Sequence, residues 1–197
     1  MFYNVLMSVL SFLMFIVYRI KITGKENIPE GAAVVCGNHT ANHDPVFVIA
    51  AFGVKRHLIP LSKIENKTKP VLGWVLRKMG VIFVDRGGSD ISAIKKSMQI
   101  LKSGGKLLIF PEGTRVKEGQ TVDVKNGAVM LACRNNAQVV PVFITKGSKK
   151  PLSRVDIIIG KPYFIKSDGK PGGEFLDEQT KILMNNIFAL GAAHDIV

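Results

Sequence analysis

The stretch NHTANHD, residues 38–44, sets a histidine and a carboxylate five positions apart, directly after an apolar run. On one uninterrupted helix a five-residue step turns about 140°, at 3.6 residues per turn, so His39 and Asp44 would face apart. A loop at His39 leading into a helix that starts near Asp44 removes that obstacle. Asp44 can then accept a hydrogen bond from one imidazole nitrogen and leave the other free to take a proton. This is general-base chemistry suited to a hydroxyl, a poor nucleophile until its proton leaves during attack. Asp44 before Pro45 also has the form of a helix N-cap followed by a first-turn proline. The aspartate is therefore expected to serve both ends, one oxygen for the cap and one for the ring. A solvated loop histidine beside a plain helix cap would share this pattern, so the pair needs its neighbours to decide. His43 adds a second imidazole, but His57 and His194 fall in no ligand pattern and a zinc site wants three or four ligands. No metal is expected.

The second chemical block is FPEGTR, residues 110–115. Gly113 permits a tight turn. Thr114 and nearby backbone N–H groups can donate to phosphate oxygens, and Arg115 can grip a phosphate through its planar fork. Glu112 is out of place in an anion site; it is expected to orient Arg115, to hold a loop amide, or to bond an acceptor hydroxyl. An ordinary surface Glu–Arg pair would look the same in isolation. Arg86 closes the run VIFVDR and is a further phosphate-clamp candidate, with Asp85 holding it. Lys63, just past HLIPLS, is another basic group after an apolar run. The sequence contains neither GxxxxGK[ST] nor GxGxxG, and no GxSxG elbow, which disfavours nucleotide-binding loops and serine hydrolysis.

The elements that must position these groups can be read from periodicity. Short apolar runs at 32–37, 57–62, 81–86, 106–110, 139–144 and 155–160 read as buried strands. Helical patterns lie between them: from Asp44 to Gly53, 70–80, Ile91 to Leu101, Asn126 to Arg134, and Leu176 to Leu190. Pro141 within VVPVFI argues for an edge or irregular position. The alternation implies an α/β fold with a largely parallel central sheet flanked by helices. In such folds ligand chemistry sits beyond the carboxyl ends of strands. NHTANHD, DRGG and PEGTR each follow a strand and are expected to converge there.

The first eighteen residues carry no charge before Arg19. As a helix they would reach about 27 Å, slightly short of a hydrocarbon core of about 30 Å. Three readings stay open: a monotopic anchor, a full span, and a buried first helix. The chain divides into a membrane-associating helix over 1–18 and one catalytic domain over 19–197. The net charge of +12 favours an anionic partner. The aromatics are mostly Phe in apolar runs, poor material for stacking bases, so nucleic acid is not expected. Cys36 and Cys133 form no CxxC pair and read as core residues of an intracellular chain.

Taken together, these blocks resemble the glycerophosphate and lysophosphatidate acyltransferases, the PlsC-like family. NHTANHD matches the family's histidine-four-residues-aspartate signature. GVIFVDR (80–86), FPEGTR and the apolar run around Pro141 are similar to its later blocks in order and spacing. SKIE, with Lys63 and Glu65, resembles a smaller feature. The resemblance covers about residues 20–145. It implies the glycerolipid acyltransferase fold, His39 as the base and Asp44 as its partner. Arg86, Glu112, Gly113, Thr114 and Arg115 would shape the acceptor phosphate site, with Asn38, Lys63 and Pro141 as further contributors. It implies no cofactor: acyl-CoA or acyl-carrier protein is the donor substrate, lysophosphatidate the acceptor and phosphatidate the product. It also implies work on anionic lipid at the cytoplasmic face of the cell membrane. Glycerol 3-phosphate or another lysolipid remain alternative acceptors, and a non-catalytic basic lipid-binding module is the alternative of another class. For the family the chain is short, leaving little for accessory donor recognition.

Overall fold

In the computed structural model, residues 2–85, 87, 90–115, 123–145, 151–167 and 169–194 are described. A seven-stranded sheet forms the middle layer: β1 (Arg19–Thr23), β2 (Ala33–Gly37), β3 (Leu58–Lys63), β4 (Ile82–Val84), β5 (Lys106–Ile109), β6 (Gln138–Ile144) and β7 (Arg154–Ile159). Their spatial order is β1-β7-β6-β2-β5-β3-β4. Every pairing is parallel except β6 with β7. The strands named by apolar runs are present with small shifts at their ends. β1 was not read from the sequence.

Side chains alternate across the sheet with the period of two that a pleated strand imposes. Ala33, Val35, Leu108, Val140, Val142 and Ile144 point into one apolar layer, with Phe47, Val48 and Phe52 of α2 (Asp44–Phe52). Tyr3 and Met7 of α1 (Phe2–Val17) and the half-buried Val75 and Leu76 of α3 (Pro70–Lys78) join the same layer. Val34, Cys36, Leu107, Val139 and Phe143 face the opposite layer. There they meet α4 (Ile91–Lys102), α5 (Gly127–Arg134) and α6 (Gly173–Ala192).

Pro141 is not at a sheet edge. It is buried within β6, between β2 and β7, opposite Cys36 of β2. Its carbonyl accepts from Gly160 N at 2.8 Å, just past the last residue of β7. A residue's N and O leave the same side of a strand, so the missing proline N–H faces the partner where β7 ends at Gly160. The pairing resumes with an extra residue on the partner side, at the Val139–Tyr163 bridge, so the proline sits at an irregular point of the ladder where a single bond is lost.

The first helix is built into the body. Tyr3 Oη donates to Leu58 O at 2.8 Å and Met7 is wholly buried. Its other face exposes Val5, Val9, Phe12, Leu13, Phe15 and Ile16. No described helix is long and apolar enough to cross a membrane.

Helix α3 approaches the preceding turn so closely that Gly73 is its only fully buried residue. A Cβ at Gly73 would meet the carbonyl oxygens of Lys67, closer than any real contact, and of Asn66 at 2.9 Å. Helix propensity alone would make Gly73→Ala stabilising by about 1 kcal/mol. The clash is with backbone, which cannot rotate away, and such overpacking costs about 1–3 kcal/mol. Gly73→Ala is therefore expected to lower the midpoint of urea unfolding; a raised midpoint would refute the close approach.

Candidate active site

β6, β2 and β5 lie side by side and run the same way, so their carboxyl ends meet at one edge of the sheet. Asn38 follows β2 and clamps it to the end of β6. Its Nδ2 donates to Ile144 O and its Oδ1 accepts from Ile144 N, both at 2.8 Å. His39 comes next. Its backbone N–H donates to Glu112 Oε2 at 2.8 Å, from the loop that follows β5. Its ring stacks on Phe110, with centroids 4.3 Å apart and planes inclined by 23°.

His39 Nδ1 lies 3.0 Å from Asp44 Oδ2. The same oxygen accepts from Thr40 N and Ala41 N, each at 2.7 Å. Two backbone donors on one oxygen mark it as a carboxylate acceptor. The hydrogen between it and the imidazole therefore belongs to Nδ1, and the lone pair falls on Nε2. Asp44 is wholly buried, whereas the His39 side chain keeps 18% of its exposure. The dyad is thus sealed on the carboxylate side and open on the imidazole side.

The expected N-cap does not form. Asp44 is the first residue of α2, and His43 holds the cap position without a capping side-chain bond. The loop folds back on itself, with Asp44 N donating to Ala41 O at 3.2 Å. The carboxylate therefore meets the amides that precede the helix rather than those of its first turn. Oδ2 alone takes the ring and the loop, and Oδ1 has no protein hydrogen-bond partner.

The FPEGTR loop splits into an inward and an outward half. Gly113 N bonds back to Phe110 O at 2.9 Å, and Gly113 sits at φ 65°, a left-handed conformation that glycine adopts without strain. That turn carries Glu112 inward, where it is buried, and leaves Thr114 and Arg115 exposed. Of the three roles open to Glu112, holding a loop amide is the one seen. Burial pushes its carboxyl up to about 7; the His39 amide pulls the other way, and the charge of Asp44 adds to the rise.

The third block, DRGG, is described only in part. DRGG follows β4, the edge strand, and β3 lies between that strand and β5. Asp85 Oδ1 accepts from Gly87 N and its own amide donates to Asp90. Arg86 lies outside the described residues. Lys63 is exposed at the end of β3, and Pro141 lies within β6, short of its carboxyl end. Among the described residues no group of three or more His, Cys, Asp or Glu side chains could hold a metal ion.

Two contributors were missed by sequence reasoning. Phe110 supports the His39 ring, and alternation from Leu108 could have placed it on that face. Tyr18, after α1, stacks on His43 at 5.6 Å and meets Phe47 edge-on at 5.2 Å. Tyr18 also lines a groove of about 680 Å³ with Phe15, Ile16, Arg19, Lys21, Leu152 and Arg154. No spacing rule in the sequence announces that contact.

Comparison with known proteins gives a consistent pattern. Residues 19–145 match the family model described as Acyltransferase. The chain is 33% identical to the chloroplast 1-acyl-sn-glycerol-3-phosphate acyltransferase of Arabidopsis thaliana over 158 residues, 74% of this chain and 44% of that protein. It is 35% identical to the 1-acyl-sn-glycerol-3-phosphate acyltransferase of Borreliella burgdorferi over 129 residues, 64% of this chain and 51% of that one. The chain thus spans about half the length of these curated relatives. Its fold is similar to the crystal structure of the 1-acyl-sn-glycerophosphate acyltransferase PlsC from Thermotoga maritima. That likeness has a TM-score of 0.69 at 24% identity, over 96% of this chain and 78% of the other.

Asp44 variants separate its two jobs. Asn can place its oxygen where Oδ2 lies and keep the loop amides, but it cannot balance an imidazolium. Asp44→Asn should lower turnover by roughly 10²–10⁴-fold with little loss of stability. Asp44→Ala should lower both, because each orphaned buried amide costs about 1–3 kcal/mol. Equal unfolding midpoints for the two variants would show that the loop does not depend on the carboxylate.

Glu112 gives a pH test. Its folded-state value, about 7, lies above the ordinary 4.5, so the folded protein binds that proton more tightly than the unfolded chain. Its contribution to stability is complete below the ordinary value and is lost as pH rises through about 7. Unfolding midpoints across this window should fall more steeply in the wild type than in Glu112→Gln. Parallel profiles would contradict the assignment.

Proposed function

The chain belongs to the Acyltransferase family, and from that premise we propose that it transfers an acyl group from a thioester to the free hydroxyl of lysophosphatidate, yielding phosphatidate. The observation that supports this best is the His39–Asp44 dyad, 3.0 Å across, in which a partly exposed imidazole rests on a wholly buried carboxylate. Nε2 takes the hydroxyl proton as the oxygen attacks the thioester carbonyl. The C–O bond forms, a tetrahedral oxyanion follows, the C–S bond breaks, and the departing thiolate takes the proton back from His39. Asp44 steadies the imidazolium in between. No enzyme nucleophile is needed. Cys36 is buried, and that burial raises its thiol well above the ordinary range, as befits a core residue.

The outward half of the FPEGTR loop supports a phosphorylated acceptor. Thr114 and Arg115 are exposed beside a buried Glu112, which leaves their donors available to a phosphate, with Arg86 assisting. The relatives named above are 1-acyl-sn-glycerol-3-phosphate acyltransferases, which favours a monoacylglycerol phosphate. Acyl-CoA or acyl-carrier protein serves as donor. The charge-free outer face of α1 seats the protein on the cytoplasmic side of the cell membrane, as a shallow insertion into a leaflet containing anionic lipid. Arg19 and Lys21 at its end meet the lipid head groups.

Thiol release from acyl-CoA, measured with lysophosphatidate, glycerol 3-phosphate and monoacylglycerol, tests the acceptor. Wild type should prefer lysophosphatidate. Arg115→Lys keeps the charge but loses the fork, so kcat/KM for lysophosphatidate should fall roughly 10-fold or more, with little change for monoacylglycerol. Equal losses on both acceptors would rule out a phosphate clamp at Arg115.

A further inference from the structure

We propose that the outward face of α3 is a second membrane-docking surface, seated in an anionic lipid leaflet beside α1. This rests on the reading of α1 as the lipid seat and adds a contact that reading does not require. Val71 is 77% exposed, Trp74 49% and Leu72 42%, on a helix of only nine residues. Its inward side is already committed, through Gly73, Val75 and Leu76. The outward side stays largely open to solvent, and large apolar groups gathered this closely mark an interaction site.

The surroundings say what covers it. Lys67, Lys69, Arg77 and Lys78 are all exposed around this face. Apolar side chains ringed by cations complement an anionic bilayer, whose head groups meet the charges while the acyl region takes the apolar groups. Tryptophan is enriched at that boundary. The face is also continuous with α1: the rings of Phe2 and Trp74 meet edge-on, with centroids 5.5 Å apart. Both helices cover the same side of the sheet. One leaflet can therefore reach both, and contacts on two helices rather than one fix the protein's rotation about the axis of α1, which one helix leaves free.

Trp74 is the chain's sole tryptophan, so its fluorescence reports on this face alone. The full chain would be mixed with vesicles of phosphatidylcholine, with and without phosphatidylglycerol, and with acyl-chain-brominated lipid as a contact quencher. Flotation of the vesicles measures binding separately. The expected result is binding to the phosphatidylglycerol vesicles, a blue shift of Trp74 and quenching by bromine. Val71→Ser with Leu72→Ser, both at exposed positions, should weaken partition about 10-fold because less apolar area is buried. Flotation with unchanged, unquenched Trp74 emission would overturn α3 docking and leave α1 as the sole anchor. No flotation would overturn the α1 reading and this one with it. A Trp74 response to acyl-carrier protein but not to vesicles would overturn lipid as the occupant and make the face a protein-docking site.

Discussion

One buried oxygen, Asp44 Oδ2, organises the site. It collects the His39 ring and the amides of Thr40 and Ala41, three donors from a loop that has no regular ladder of its own. A wholly buried charge is tolerable only with such partners. The requirement works in both directions: the loop satisfies the carboxylate, and the carboxylate gives the loop one shape. The imidazole tautomer follows from that shape, because an acceptor already holding two N–H groups can take only the N–H side of the ring. The orientation of Nε2 is thus settled before any substrate arrives.

The neighbouring strands supply what Asp44 cannot. Asn38 ties the loop to β6 through both of its amide groups. Glu112 ties it to β5 through the amide of His39 itself. The second tie works against electrostatics, since Glu112 and Asp44 are both buried carboxyls and repel one another when charged. Phe110 covers one face of the ring by stacking on it. Histidine, aspartate and the FPEGTR turn therefore behave as one assembly spanning three adjacent strand ends. Effects of substitutions within it should not add.

Much of this was legible in the sequence because it depends on local patterns. Apolar runs of strand length named six of the strands, and a His followed five residues later by Asp–Pro forced a loop into a helix start. The rest depends on which strands become neighbours, which no local pattern encodes. The Glu112 bond spans 73 positions and exists only because β2 and β5 pair. The block after β4 was expected beside the others; strand order puts β4 at the sheet edge with β3 between it and β5, and Arg86 lies outside the described residues. β1 escaped notice because Arg19 and Lys21 alternate with Ile20 and Ile22. That is the signature of an outer strand with one solvated side, but it reads as a basic flank when it follows an apolar helix. Asp44 met every local criterion for an N-cap; the loop amides, unseen in the sequence, competed for the same carboxylate and won.

The first helix links these levels. Its inner side is fixed by the Tyr3–Leu58 bond and by Met7, so it cannot swing freely as a tether would. Its end runs into Tyr18, whose ring packs on His43 within the loop that joins His39 to Asp44. Under the proposed reading, a lipid acceptor with its acyl chain in the leaflet has a hydroxyl that can rise only a short way from the surface. A catalytic base on a loose tether would meet that hydroxyl at variable depth and angle, and a misplacement of about 1 Å can cost about 100-fold in rate. A base joined to the lipid-facing helix through packed rings keeps one height above the membrane. The stacked pair Tyr18–His43 is then a spacer as much as a core contact. It explains why an aromatic residue should stand where the apolar helix gives way to the first strand.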